Sequence, residues 1–200
     1  MREPYVNFMN ANVAADTVVI TCGLPATNKT ETMEVLASLK GHKILRTDLI
    51  RREVLKGEDI FDEKVAGDMG KRELVYDKMF EMAGELAGQG QGVILDATFV
   101  SQALRCRAAA AAHQHGRTFV IQQTWCPEEY SLNKISNRTK ENYESNALTP
   151  EAYHNNQRKF EAVDLEDLAA KFPGLKIMYL KVDTSGDDEA SWYVIEKVLR

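Results

Sequence analysis

The chain has 200 residues, 44% apolar and 28% charged, ordinary values for a globular protein and enough length to bury one sizeable core without a linker. Its formal charge of −5 excludes a broad electrostatic footprint for nucleic acid or an anionic membrane, and leaves room for a local basic pocket. Three widely spaced cysteines, Cys22, Cys106 and Cys126, form no C-x-x-C pair, which argues against a disulfide framework or a zinc site.

No run is long and apolar enough to span a bilayer, and residues 1–16 lack the basic-then-apolar pattern of a secretion signal, so a cytoplasmic location is expected. That opening stretch has no clear period and is expected to be a loosely attached N-terminal arm, 1–16, ahead of a single domain, 17–200.

Residues 17–22 are an apolar, β-branched run that predicts a buried strand. Gly23 and Pro25 then predict a tight turn, and Lys29-Thr30 opens an amphipathic helix that Gly41 ends. Strand, tight loop and helix start in this order make a phosphate loop. Its backbone N–H groups, from Gly23 through Ala26 and Thr27 to Thr30, aim at anionic oxygens. Lys29 can reach β- and γ-phosphates, and the Thr30 hydroxyl can hold Mg²⁺. The match to G-x-x-x-x-G-K-[ST] fails at its second glycine, where Asn28 stands. Asparagine tolerates left-handed backbone angles better than other residues with a Cβ, but it does not reproduce the close phosphate approach of glycine. Ala26 is small enough to leave the loop narrow, and the Asn28 amide can donate to a phosphate oxygen. An ordinary strand-turn-helix joint with a solvated lysine is the alternative at this point.

Residues 42–47 read as a short second strand ending at Asp48, and 49–56 as a short helix, with a Gly/Asp-rich loop to Gly70. Asp48 and Arg51 lie three apart and share one side of the first helical turn. The carboxylate can accept the proton of an attacking hydroxyl while the guanidinium holds an anionic group, or the two form a plain surface ion pair. A helix from Lys71 to about Ala87 carries Val75, Met79, Met82 and Leu86 as a core stripe, and the Gly-Gln repeat at 88–92 breaks it. The strand at 93–98 brings Asp96 and Thr98 to its end; Asp96 can hold Mg²⁺ opposite Thr30 or serve as a helix cap.

Residues 104–115 are an alanine-rich helix whose Arg105 can reach an acceptor cleft or merely decorate the helix. A strand at 118–125 precedes a helix that Pro127 opens and that runs to about Glu141, with Lys134 and Arg138 one turn apart. Cations there can fold over phosphates or form a solvated basic face. A single helix is predicted over 149–170, a last strand over 176–182, and a closing helix over 188–199 with Trp192, Ile195 and Leu199 facing inward. Strands alternating with helices imply an α/β fold with a parallel sheet and helices on both faces, with ligands outside the carboxyl ends of the strands.

Taken in order, GLPATNKT, TDLIRREV, VYDKMFEMAGELAGQGQGVILDATF with Arg105 following, and EEYSLNKISNRTKEN resemble the P-loop kinases of the polynucleotide-kinase and zeta-toxin type, over residues 17–160. The resemblance implies a P-loop NTPase three-layer sandwich with a five-stranded parallel sheet and a helical lid near 130–150. It also implies ATP with Mg²⁺ and transfer of the γ-phosphoryl group to an acceptor. Carried over by position, Lys29 and Thr30 are the phosphate and metal residues, Asp48 the base that orients the acceptor, and Arg51 the arginine that grips it. Asp96 is the second acid and Arg138 the lid arginine, while Thr98 and Arg105 fall on the acceptor side. Ala26 and Asn28 stand where relatives have glycines, and Lys134 where many have arginine. The acidic charge favours a small-molecule or nucleotide acceptor over a nucleic-acid end. A degenerate nucleotide-binding or scaffold protein is the alternative that the altered loop raises.

Overall fold

Residues 1–58, 68–137 and 149–200 are described by the computed structural model. Their elements run β1 (Glu3–Pro4), α1 (Tyr5–Asn12), β2 (Val18–Cys22), α2 (Lys29–Lys40), β3 (Lys43–Arg46), α3 (Thr47–Val54) and α4 (Met69–Gly88). There follow β4 (Val93–Asp96), α5 (Gln102–Gln114), β5 (Phe119–Trp125), α6 (Glu128–Ser136), α7 (Pro150–Lys159), α8 (Leu165–Lys171), β6 (Ile177–Asp183) and β7 (Tyr193–Leu199).

Every residue of β2 and β4 is buried, as strands covered on both faces require. Alternation along β2 sends Val18, Ile20 and Cys22 into one core and Val19 into another. The first core is closed by α4, α5 and α8 through Met79, Ala83, Ala109 and Leu168; the second by α1 and α2 through Phe8, Met9, Met33 and Leu36. Three layers result, with the sheet in the middle.

Among the described residues the sheet has seven strands, in the order β1-β7-β6-β5-β2-β4-β3. The run β6-β5-β2-β4-β3 is parallel, which is the expected set of five. Two antiparallel strands extend it. The stretch expected as a closing helix is instead β7, hydrogen-bonded along the free edge of β6. Its β-branched and aromatic content suits a strand, and pairing there covers an edge that would otherwise be open. Trp192 is buried as expected, but Leu199 is exposed.

The expected loose arm is also corrected. Glu3 and Pro4 pair with β7, and Tyr5, Phe8 and Met9 of α1 are buried at spacings of three and one. The Tyr5 hydroxyl donates to the Thr32 carbonyl at 2.8 Å, and its ring meets Trp192 edge-on at 6.1 Å. An eight-residue helix with three apolar residues shows little periodicity, and only the groove between α2 and the sheet gives it a place to bury them. The helix expected over 149–170 is two, α7 and α8, parted at 160–164, where backbone carbonyls are turned away from helical partners. Among the described residues no helix is long and apolar enough to cross a membrane.

At the amino ends of β2 and β4 the chain packs closely around His42. A Cβ on Gly92 would come within 2.2 Å of the Ala15 carbonyl and 2.7 Å of the His42 ring, so only glycine fits. Thr17 donates to the Ala14 carbonyl at 3.1 Å, so its oxygen receives Nε2–H of His42 across 2.9 Å. Nδ1 of His42 is buried without a partner among the described residues. Burial, with the nearby Lys40 charge adding, lowers this histidine to about 4.

Two outcomes follow from this packing. Phe8→Ala is expected to cost about 3–5 kcal/mol in urea unfolding, the scale of a buried phenylalanine and not of a loose arm. Because the folded His42 binds its proton less readily than the ordinary value of 6.5, its contribution to stability is complete above that value and is lost as pH falls towards 4. His42→Leu is therefore expected to flatten the decline of melting temperature between pH 6.5 and 4.

Candidate active site

The loop between β2 and α2 has the shape of a phosphate cradle without the usual glycines. Ala26 and Asn28 both adopt left-handed backbone angles, with φ of 60° and 56°. Gly23, at φ 134°, is required on a second ground: a Cβ there would lie 2.7 Å from the Thr124 carbonyl. Hydroxyls of the neighbouring strand ends fix the turn. Thr27 shares a 2.7 Å hydrogen bond with Thr124, and Thr184, just beyond β6, donates to the Thr27 carbonyl at 3.0 Å. Lys29 starts α2 and folds back over the loop, its Nζ donating to the Leu24 carbonyl at 2.5 Å.

On the β4 side, Thr30 donates to Asp96 at 2.7 Å, and Thr21 fixes the other Asp96 oxygen at 3.3 Å while bonding both backbone groups of Ala97. Burial pushes the Asp96 carboxyl up, and Thr30, Lys29, Arg46 and Thr21 oppose that shift. A desolvated carboxylate beside a hydroxyl and a lysine at a helix N-terminus is a place for anion and hard cation together. No group of three or more His, Cys, Asp or Glu is arranged as a metal cage among the described residues.

Beyond Asp96 lies a second cluster. Arg51 is 8% exposed and its Nε has no hydrogen-bond partner among the described residues. Asp48 is half-buried one turn before it. The Tyr76 hydroxyl, from α4, joins them: burial pushes it up, Arg72, Thr98 and Arg51 oppose the shift, and Asp48 adds to it. The fold thus brings Asp48, Arg51 and Thr98 to one place, with Tyr76, which the sequence did not single out, among them. Its position on the inner stripe of α4 gave no sign of this.

On the β6 side, the Asn28 carboxamide is turned away from Asp96. Its Nδ2 donates to the Thr184 carbonyl at 3.0 Å, and its Oδ1 accepts from Lys134 of α6. Lys134 also pairs with Glu31 at 3.2 Å. A groove of about 570 Å³ opens here, floored by Val35, Leu39 and Trp192 and edged by Glu31, Glu34 and Asp187. Thr184 and Thr124 are further residues that the sequence did not single out. Arg138 lies outside the described residues.

Arg105 is not on an acceptor cleft. Its side chain is fully buried, donating to the carbonyls of Phe99 at 3.1 Å, Glu161 at 2.7 Å and Ala162 at 3.0 Å. Phe99 itself holds a left-handed φ of 43°. The guanidinium therefore fixes the turn that follows Thr98 and explains the break between α7 and α8, whose carbonyls it occupies.

The model of a family described as AAA domain matches residues 18–163. No curated protein matches the sequence. Among solved structures, a candidate kinase from Chloroflexus aurantiacus is similar at a TM-score of 0.65 and 17% identity, over 86% of this chain and 89% of that one. A gluconokinase from Sinorhizobium meliloti gives 0.54 and 13%, over 86% and 85%. The AvrRxo1-ORF1:-ORF2 structure with ATP gives 0.53 and 18%, over 98% of this chain and 60% of that chain. These likenesses show the fold.

Arg105→Met is expected to lower the free energy of urea unfolding by about 3 kcal/mol or more, because several buried carbonyls lose their donor at once. Arg105→Lys is expected to recover only part of that, since one ammonium cannot span the same oxygens.

Proposed function

Because the chain belongs to the AAA domain family of P-loop kinases, we propose that it transfers the γ-phosphoryl group of ATP to a hydroxyl of a small molecule or nucleotide. The observation that carries the reading is the Thr30–Asp96 pair at 2.7 Å beside Lys29, with Asp48 and Arg51 at the end of the adjacent strand. A nucleic-acid end is disfavoured by the net charge of −5.

The donor set fits Mg²⁺: one hydroxyl and one buried carboxylate leave most positions to water and phosphate, as that ion prefers. When bound, it neutralises charge between the β- and γ-phosphates. The chain's own groups do the rest. The N–H groups at the start of α2 and the Lys29 ammonium hold the triphosphate and draw off charge as the bond to the leaving ADP breaks. Arg51 anchors the acceptor, and Asp48 takes the proton from its hydroxyl as the new P–O bond forms. Thr98 and the Tyr76 hydroxyl orient the same acceptor.

Ala26 and Asn28, which carry a Cβ where glycine would let phosphate approach closely, favour a second reading, a nucleotide-binding protein that has lost transfer. ADP release measured across a panel of hydroxyl compounds separates the two. Under the first reading Lys29→Met and Asp48→Asn each lower turnover by about 10²-fold or more, with ATP affinity falling for Lys29→Met and holding for Asp48→Asn. Calorimetric MgATP binding with no transfer to any acceptor supports the second reading.

A further inference from the structure

Asn28 breaks the glycine motif, yet its side chain is neither idle nor in the hollow of the loop. It is 3% exposed, and both ends of the carboxamide are used. Nδ2 is tied to the strand-end carbonyl of Thr184, so the amide cannot flip without losing that bond. Oδ1 is thereby presented to the Lys134 ammonium, 106 residues away in sequence. Among the described residues Lys134 is otherwise shared with the half-exposed Glu31 and the Tyr130 ring, whose centroid is 5.8 Å distant.

We propose that Asn28 is a positioning residue: its carboxamide holds the Lys134 ammonium at the mouth of the phosphate loop, from which Lys134 passes to the phosphates of an arriving nucleotide. This inference rests on the kinase reading above and deepens it, by assigning Lys134 to the nucleotide and Asn28 to Lys134.

The physical case is one of ordering. A lysine on the surface of α6 has four rotatable bonds, and fixing it costs conformational freedom that must otherwise come out of nucleotide affinity. Asn28, the cap residue just before Lys29 at the start of α2, fixes it in advance. A neutral amide oxygen and a partly solvated carboxylate are weak holders compared with a triphosphate, so the ammonium transfers readily. Glycine at 28 would ease the backbone, since φ there is 56°, but would leave Lys134 without its buried partner, held by the half-exposed Glu31 and the Tyr130 ring.

Calorimetric titration with MgATP tests this on the full chain, Asn28→Gly, Lys134→Met and the double variant. Lys134→Met is expected to weaken binding about tenfold, the scale of one charge-assisted hydrogen bond. Asn28→Gly weakens it by a smaller factor, and the double variant is no worse than Lys134→Met alone, because one residue acts through the other. Melting temperatures taken alongside show that Asn28→Gly remains folded, as a glycine with left-handed angles allows. Tighter binding in Asn28→Gly would make the carboxamide an obstruction and overturn the proposal. Losses that multiply in the double variant would make the two residues independent and overturn it as well. If the unaltered chain does not bind MgATP, the kinase reading falls together with this one; if it binds and the losses multiply, only this one falls.

Discussion

A phosphate loop has to hold left-handed backbone angles, and this chain does so at Ala26 and Asn28 without glycine. Such angles cost a residue with a Cβ roughly 1–2 kcal/mol, less for asparagine. The loop is kept by its neighbours instead. Thr124 meets Thr27, Thr184 meets the Thr27 carbonyl, and the Asn28 amide meets the Thr184 carbonyl. At about 1 kcal/mol for each such bond, the three offset the strain. The shape is thus imposed from the ends of β5 and β6, and the rest of the site takes its positions from it.

The strand order then divides the chemistry. Because β2 lies between β4 and β5, with β6 beyond, the loop has an acidic strand end on one hand and a threonine strand end on the other. Asp96 and the Asp48, Arg51 and Tyr76 group belong to the first side. Asn28, Lys134 and the acid-edged groove belong to the second. Under the proposed function, the reacting oxygens meet on the β4 side, where Thr30, Asp96, Asp48 and Arg51 lie.

The parallel sheet was legible because buried β-branched runs are read from local pattern alone, as were the loop start and the acids at the strand ends. What escaped the reading depended on distant partners. Helix α1 has only three core residues, and β7 becomes a strand because β6 offers it an edge. Arg105 was expected to reach an acceptor cleft or to decorate an alanine-rich helix; its burial is decided by carbonyls 56 and 57 residues further on. Tyr76 and Thr184 gave no local sign, since what distinguishes them is the company that the fold supplies.

The Arg105 guanidinium fastens two stretches that are remote in sequence: the turn after Thr98 and the segment that leaves α7. It behaves as a rivet between that turn and the junction of α7 with α8. Its cost is a buried positive charge that, among the described residues, is met by carbonyls and the Gln102 side chain with no carboxylate in bonding range, so the junction holds only while those neutral oxygens stay together.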